Sequence, residues 1–358
     1  MCSGQEKGFC VTNHPIISLD AMGGDDAPEI VIQGAELALR QYPRMKLVLV
    51  GDEQRLKKAL GQTTFARSID IIHADDMVMP EDKPSQALRN GKNTSMWQAI
   101  KLVADKQADA VVSAGNTGAL MAMSKLQLRM MEGVTRPAIA GFFPTISGSG
   151  CMLDMGANIE CNEDNLVQFA IMGSAFVRSV LNREQPTIGL LNVGAEEQKG
   201  FDYLRVAAQI LSSDKLGLNY AGFVEGSDIG NGTVDVVVTD GFTGNVALKT
   251  AEGIADLFQH SLKTSFSQTL LSKLAYLAAR PQLRRVRSLL DPRAHNGAVL
   301  LGLNGISVKS HGGTDGFGFA NAIHVAVEMI EHGFMPEVSQ TIAEANPILE
   351  QEKGKGDE

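Results

Sequence analysis

Residues 236–253 read VVVTDGFTGNVALKTAEG, a strand-like run followed by a glycine turn and a helix-like pattern. A β-branched run leads into Asp240 and Gly241, and helical periodicity begins just after Gly244 and Asn245. Backbone N–H groups at such a turn, with a helix N-terminus behind them, can bind an anion. The loop lacks the lysine of a nucleotide P-loop, and its glycines fall short of the dinucleotide fingerprint. The stretch therefore predicts a strand, an anion-binding turn and a helix that do not form a P-loop.

The same arrangement recurs along the chain. Strand-like runs that end in glycine are followed by helical periodicity, which predicts a mostly parallel α/β sheet covered by helices on both faces. Because ligands of such sheets bind at the carboxyl ends of the strands, we expect six glycine loops to line one cleft. Besides the opening stretch, the runs are IISLDAMGGDD (16–26), KLVLVGDEQ (46–54), ADAVVSAGNTGAL (108–120), CMLDMGAN (151–158) and TIGLLNVGAEEQKG (187–200).

The composition is that of a protein with a large core. The chain has 358 residues, of which 44% are hydrophobic, enough for one large domain or two closely joined ones. We predict a tail at 1–15, a single α/β domain at 16–350 and a disordered tail at 351–358. A formal net charge of −9 argues against nucleic acid as a partner.

Cysteine usage and hydropathy predict a cytoplasmic protein. No run of about 18 apolar residues could span a membrane, and the N-terminus has neither the basic start nor the apolar stretch of a signal peptide. The cysteines show no C-x-x-C spacing, which favours reduced thiols over disulfides or zinc. They are Cys2, Cys10, Cys151 and Cys161.

Two of the loops combine small hydroxyls, an amide and exposed N–H groups. This inventory suits the oxygens of a phosphate and needs no metal. Any doubly wound sheet also needs glycine at such turns, so a purely geometric role is the alternative. The residues are Ser113, Asn116, Thr117 and Gly118 in the first loop, and Asp240, Gly241, Thr243, Gly244 and Asn245 in the second.

Charged side chains follow other predicted strands. Lys199 lies in the polar loop after LLNVG, and Lys309 and His311 lie in KSHGGTDG. Each could bind an anion, although a lysine after a strand is as often a solvated loop charge. Asp20 and Asp154, like Asp240 above, fall at strand ends, where Asp commonly caps a helix or forms a turn.

Motifs for covalent or metal-dependent chemistry are missing from the sequence. There is no H-E-x-x-H and no G-x-S-x-G, and the seven histidines are scattered. Cys151 begins a predicted buried strand, where a thiol is typically a small apolar filler. We therefore expect no metal, no cofactor and no covalent intermediate, so that the reacting group comes with the substrate.

Residues 260–293 differ in character from the rest of the chain. Arginines gather at positions 280, 284, 285, 287 and 293, next to apolar residues at helical spacing. At this spacing an apolar stripe often faces a core or a dimer partner. The alternative is a protruding helical element that lies on anionic lipid or receives a carrier protein. The stripe consists of Leu262, Phe266, Leu270, Leu274 and Leu277.

Taken together, these motifs closely resemble the bacterial phosphate acyltransferase family, PlsX. The resemblance runs in one consistent order from about Ile16 to the region of His324. The motifs that carry it are DAMGGD (20–25), SAGNTGAL (113–120), RPA (136–138), LDMGAN (153–158), LLNVGAEEQKG (190–200), GFVEG (222–226), the opening stretch and LLGLNGISVKSHG (300–312).

The resemblance implies an activity, a fold and partners. The activity is reversible transfer of a fatty acyl group from acyl carrier protein to inorganic phosphate, giving acyl phosphate for phospholipid synthesis. The fold is similar to that of isocitrate and isopropylmalate dehydrogenases and of phosphotransacetylases. Members of the family are homodimers peripherally associated with the inner face of the membrane, which also suggests a downstream glycerol-3-phosphate acyltransferase as a partner.

Within that reaction we assign roles as hypotheses. Lys199 and Asn245 act at the reacting centre, and the two glycine loops surround phosphate. Asp240 orients, while Lys309 and His311 balance charge or protonate the thiolate. One rival is an NAD-dependent decarboxylating dehydrogenase, which would need a dinucleotide signature and a metal-binding Asp cluster. The other is a non-enzymatic membrane-surface scaffold, which leaves the polar glycine loops unexplained.

Overall fold

Eleven strands form one sheet in the computed structural model of the protein, which describes residues 14–61, 65, 69–289 and 291–353. They lie side by side in the order β3-β2-β1-β4-β11-β10-β5-β6-β9-β7-β8. Seven of the ten neighbouring pairs are parallel. The strands are β1 (Ile16–Asp20), β2 (Lys46–Gly51), β3 (Ile69–His73), β4 (Ala110–Ser113), β5 (Ala138–Thr145), β6 (Gly148–Leu153), β7 (Thr187–Leu191), β8 (Asn219–Val224), β9 (Val236–Val238), β10 (Ala298–Leu301) and β11 (Ile306–Lys309).

Helices cover both faces of this sheet, because alternate side chains of each strand point to opposite sides. In β4, Ala110 and Val112 enter one apolar core, while Val111 enters the other. The predicted α/β fold with a mostly parallel sheet and helices on both faces is confirmed. The described helices are α1 (Glu29–Gln41), α2 (Glu53–Leu60), α3 (Pro84–Asn90), α4 (Ser95–Ala104), α5 (Thr117–Leu128), α6 (Glu163–Leu181), α7 (Asp202–Leu211), α8 (Gly226–Asn231), α9 (Gly241–Ser267), α10 (Leu270–Leu289), α11 (Gly316–Glu331) and α12 (Phe334–Lys353).

The two halves of the sheet run in opposite directions. Strands β3, β2, β1, β4 and β11 are parallel to one another, whereas β10, β5 and β6 each join their neighbour antiparallel. Strands β9, β7 and β8 then follow the direction of β6. The loops after β1, β4 and β11 therefore leave one edge of the sheet, and those after β6, β9 and β7 leave the other. The register nevertheless brings the carboxyl ends of β11 and β6 level with Gly141 of β5, and the prediction that all six loops line one cleft stays a prediction.

Helices α9 and α10 form a hairpin that lies largely outside the core. The buried residues of α9 are Gly241 and Gly244, both in its first turn. The predicted helical element therefore starts well before residue 260, and it consists of two helices instead of one. The ring of Phe266 on α9 lies 5.6 Å from that of Tyr276 on α10, which joins the two helices.

The apolar stripe divides between these two helices. Leu262 and Phe266 on α9 are half-buried, whereas Leu270, Leu274 and Leu277 on α10 are 81%, 63% and 59% exposed. These three leucines are thus not part of a core within this chain. The side chains of arginines 284, 285 and 287 lie outside the described residues. None of the helices described here is long and apolar enough to cross a membrane.

The chain ends differ from the predicted tails in one respect. Helix α12 continues to Lys353, three residues into the segment predicted to be disordered. Residues 1–13 and 354–358 lie outside the described part of the chain.

Candidate active site

Asp154 is the buried anchor of the loop that follows β6. Its carboxylate accepts N–H groups from Ile139 at 2.9 Å, Gly156 at 3.2 Å, Ala157 at 3.0 Å and Asn158 at 2.7 Å. The side-chain amide of Asn158 adds a bond at 2.8 Å. Burial raises the pKa of Asp154, and these donors oppose that rise. These hydrogen bonds to the Asp154 carboxylate therefore fix the conformation of the loop 154–158.

The amino end of α9 sits directly on this loop. Asp240 caps the helix, since its two oxygens accept the main-chain N–H and the hydroxyl of Thr243, each at 2.8 Å. Gly241 N–H donates to the main-chain oxygen of Asn158 at 2.7 Å, and Gly244 N–H to that of Asp240 at 2.9 Å. The N–H groups that the sequence assigned to a phosphate thus already have partners within the protein.

Close packing explains the two glycines of α9. A Cβ atom at Gly241 would lie 2.5 Å from the main-chain oxygen of Asn158, and one at Gly244 would lie 2.0 Å from that of Asp154. No side chain fits at either position, so both residues let the helix approach loop 154–158. Their predicted contact with phosphate stays a prediction, as does that of Thr243.

Asn245, in the first turns of α9, is an exposed polar residue next to the loop 154–158. A Cβ atom built on Gly156 would lie 3.5 Å from the Cβ of Asn245 and 3.6 Å from its Oδ1, so the amide lies over the loop after β6. Gly156 has φ +129°, which a side chain would strain. The side chain of Asn245 is exposed to solvent, in reach of a ligand.

Lys199 belongs to the loop after β7, the strand next to β9. Because β6, β9 and β7 are parallel neighbours, the loops 154–162, 239–245 and 192–200 leave the same edge side by side. Lys199 is half exposed, and its ammonium pairs with Glu196 at 2.8 Å. This bond raises the pKa of Lys199, which is therefore a cation at neutral pH. We refer to these three loops as the Asp154–Lys199 cluster.

Several residues of this cluster have roles that the sequence reasoning missed. Asn158 and Asn192 tie their loops through side-chain amides, and for Asn192 its position directly after a buried strand was the available signal. Burial, with the charges of Asp154 and Asp240, raises the pKa of Cys161 to about 12, so its thiol is protonated and inert. Burial and the nearby charge of Asp240 raise the pKa of Tyr203, which nothing local in the sequence marks.

A second polar cluster lies at the other edge of the sheet, after β1, β4 and β11. The buried carboxylate of Asp20 accepts hydroxyls from Ser95 at 2.6 Å and Ser113 at 2.7 Å. Lys309 donates to the main-chain oxygens of Ala114, at 3.3 Å, and Ser310. Burial lowers the pKa of Lys309 to about 8, although Asp20 nearby opposes the change. We call this group the Asp20–Lys309 cluster.

The remaining predicted site residues also lie at this second edge. Asn116 caps α5, and its amide nitrogen donates to the main-chain oxygens of Pro80 and Asp82 at 2.8 and 3.0 Å. Gly118 packs against Pro84, while Thr117 is exposed. His311 accepts the Gly313 N–H at Nδ1, at 3.2 Å.

The predicted site residues thus follow strands of opposite direction, and their placement around one phosphate stays a prediction. Ser113, Asn116, Lys309 and His311 lie at the ends of strands of one direction, and Lys199 and the loop 239–245 lie at the ends of strands of the other. Within the described ranges, no hydrogen bond or ion pair joins the two clusters. The physical cause is the reversal of strand direction at β10, β5 and β6, which a pattern of apolar runs and glycine turns does not reveal.

The fold defines the class of protein. A phosphotransacetylase from Streptococcus pyogenes superposes with a TM-score of 0.62 at 16% identity, over 89% of this chain and 95% of that one. A phosphotransacetylase from Staphylococcus aureus gives 0.57 at 16% identity, over 88% and 94%. This is the phosphotransacetylase fold, as predicted. The predicted likeness to the dehydrogenases stays a prediction.

Sequence comparison identifies the family. The family described as fatty acid synthesis protein matches residues 16–337. Phosphate acyltransferases from Paramagnetospirillum magneticum and Rhodospirillum centenum are each 52% identical to this chain, over 92% and 93% of its length and 95% and 94% of theirs. The chain belongs to this family of acyltransferases, and the predicted resemblance is confirmed.

Proposed function

We propose that the protein transfers a fatty acyl group reversibly from acyl carrier protein to inorganic phosphate, giving acyl phosphate for phospholipid synthesis. Membership of the phosphate acyltransferase family supports this reaction. The observation that carries the assignment of the site is the exposure of two donors, Asn245 and Lys199, on adjacent loops at the amino end of a 27-residue helix. The positive end of the helix dipole adds to their attraction for an anion.

In the proposed step, a phosphate oxygen attacks the thioester carbonyl. The new C–O bond forms a tetrahedral oxyanion, which collapses as the C–S bond breaks and the thiolate leaves. A thiol with a pKa of about 8.5 is a competent leaving group, so strong acid assistance is unnecessary. Orientation of the reactants supplies roughly 7–11 kcal/mol and a preorganised oxyanion donor about 2.7–4 kcal/mol.

Asn245, Lys199 and Asp240 have separate roles in this proposed step. The Asn245 amide donates to the developing oxyanion, and Lys199 offsets the charge of phosphate. Asp240 keeps the first turn of α9 in place, because both of its oxygens are engaged by Thr243. It is thus an orienting residue, and no base is needed when phosphate is already anionic. Lys309 and His311 belong to the Asp20–Lys309 cluster, and charge balance or thiolate protonation stays their proposed role.

We further infer that the α9–α10 hairpin lies on anionic lipid at the inner face of the membrane. No acidic residue occurs from 257 to 290, whereas Lys263, Lys273 and Arg280 are exposed beside the exposed leucines of α10. Apolar area and positive charge together favour binding to an anionic bilayer. The hairpin is continuous with the proposed site, since α9 begins in the Asp154–Lys199 cluster. A homodimer and a downstream glycerol-3-phosphate acyltransferase complete the proposed set of partners.

The test of the reaction is phosphate-dependent release of thiol. Purified protein is mixed with acyl carrier protein thioester, and free thiol is measured with phosphate, with sulfate and without added anion. We expect release with phosphate alone. Asn245→Ala should lose at least tenfold in rate, while Lys249→Ala, one turn further along α9, should keep the wild-type rate. Wild-type turnover in Asn245→Ala would remove Asn245 from the mechanism, and no release in any mixture would refute the function.

A further inference from the structure

The loop that carries Lys199 has its two ends joined by the buried side-chain amide of Asn192. Asn192 is only 8% exposed. Its Oδ1 accepts the N–H of Val193 at 2.9 Å, and its Nδ2 donates to the main-chain oxygen of Lys199 at 3.0 Å. Gly200, at φ +86°, makes room for this amide, since a Cβ there would lie 2.1 Å from Asn192 Oδ1. The position of Lys199 along the loop is therefore fixed.

Within this loop, Glu196 and Lys199 lie on the same side of a tight turn. The Lys199 N–H donates to the main-chain oxygen of Glu196 at 3.0 Å, and the two side chains pair at 2.8 Å. They cross the backbone of Gly194, where a Cβ would lie 2.8 Å from both Lys199 Nζ and Glu196 Oε2. The glycine thus permits an ion pair that a larger residue would push apart.

The pair contributes little to folding, because both side chains are about half exposed to solvent. Its consequence for binding is larger. A phosphate that approaches Lys199 meets a carboxylate that already occupies one side of the ammonium, and the charge of Glu225 also acts on Lys199. Like charges at such distances repel, so phosphate must displace the Glu196 carboxylate before it forms its own ion pair.

We propose that Glu196 is an internal competitor for the Lys199 ammonium, and that it sets the phosphate concentration at which the site becomes half-occupied. This inference rests on the proposed function for the identity of the anion. In the free enzyme the carboxylate takes the place of the anionic substrate, which keeps Lys199 oriented and weakens phosphate binding. In the complex Glu196 turns towards solvent.

The test compares Glu196→Gln with Glu197→Gln. The first change keeps size and hydrogen-bonding capacity but removes the competing charge. The second removes the same charge from the next residue, for which no ion pair with Lys199 is described. Phosphate binding is titrated by phosphorus NMR without acyl donor. An exposed ion pair corresponds to roughly a two- to fivefold change in an equilibrium constant, so we expect Glu196→Gln to bind phosphate two- to fivefold more tightly and Glu197→Gln to bind as wild type.

A third variant shows whether the effect passes through Lys199. In a Lys199→Ala background, adding Glu196→Gln should no longer tighten phosphate binding, because the contested cation is gone. Equal or weaker binding in Glu196→Gln, equal tightening in Glu197→Gln, or tightening that persists without Lys199 would each overturn the proposal. Since no acyl transfer enters this titration, tighter binding without any thiol release would refute the proposed function and leave the role of Glu196 standing.

Discussion

Replacing Gly244 by alanine tests whether the glycines of α9 serve packing or the close approach of an anion. A Cβ at this position would lie 2.0 Å from the main-chain oxygen of Asp154, about 1.4 Å short of the 3.4 Å at which ordinary contact begins. The backbone of Asp154 cannot yield easily, because its carboxylate holds the N–H groups of its own loop. Helix α9 must therefore move away from the loop.

The expected cost is that of overpacking a close-packed interior, about 1–3 kcal/mol in the free energy of unfolding. Urea unfolding followed by circular dichroism measures it. The rate of thiol release should fall as well, since Asn245 is carried away with the first turn of α9. Gly253→Ala is the matched control: it lies on the same helix with no atom within 4 Å of an added Cβ, so it should be neutral or stabilising by up to about 1 kcal/mol.

One result would refute this reasoning. If Gly244→Ala unfolds at the same urea concentration as wild type but needs much more phosphate for half-maximal rate, the glycine makes room for the anion. The sequence-based interpretation would then be right, and the packing explanation wrong.

Three further predictions concern charge, the membrane and pH. Lys199→Ala should lose roughly ten- to a hundredfold in rate of thiol release, whereas Lys46→Ala, at the exposed start of β2, should not; equal losses would make Lys199 an ordinary loop lysine. Leu270→Glu with Leu274→Glu should abolish binding to anionic vesicles in a flotation assay without changing the circular dichroism, because both leucines are exposed; precipitation of the double variant would show that they are buried by a partner. The pKa of Lys309 is about 8 in the folded protein and 10.5 in the unfolded chain, so between these pH values only the unfolded chain holds the proton. The free energy of unfolding should therefore rise with pH across this range, by up to about 3 kcal/mol. Lys309→Met should lack that rise in urea titrations, and parallel curves for the two proteins would contradict the lowered pKa.

The fold class and the family could both be predicted from the sequence. Strand-like runs that end in glycine, each followed by helical periodicity, are local signals, because main-chain geometry and burial fix them within about 30 residues. The capping of α9 by Asp240 is of the same kind, since an Asp before a helix finds its partner three residues later. Sequence also indicated the basic character of the hairpin region, while it left open whether the apolar stripe there is exposed or faces a core or a dimer partner.

Which loops lie next to one another depends on contacts between segments that are distant in the sequence. Strand direction depends on pairing between distant segments, and β5 pairs with β10 from a point far along the chain. Because of that reversal, the loops of Ser113, Asn116 and Lys309 leave the sheet in the direction opposite to those of Lys199 and Asn245. The pairing also gives Gly241 and Gly244 their packing role, because the atoms that exclude a side chain there belong to residues 154–158. The sequence of a turn specifies the conformation of its own backbone. The residues that pack against the turn come from other strands, which the turn sequence does not contain.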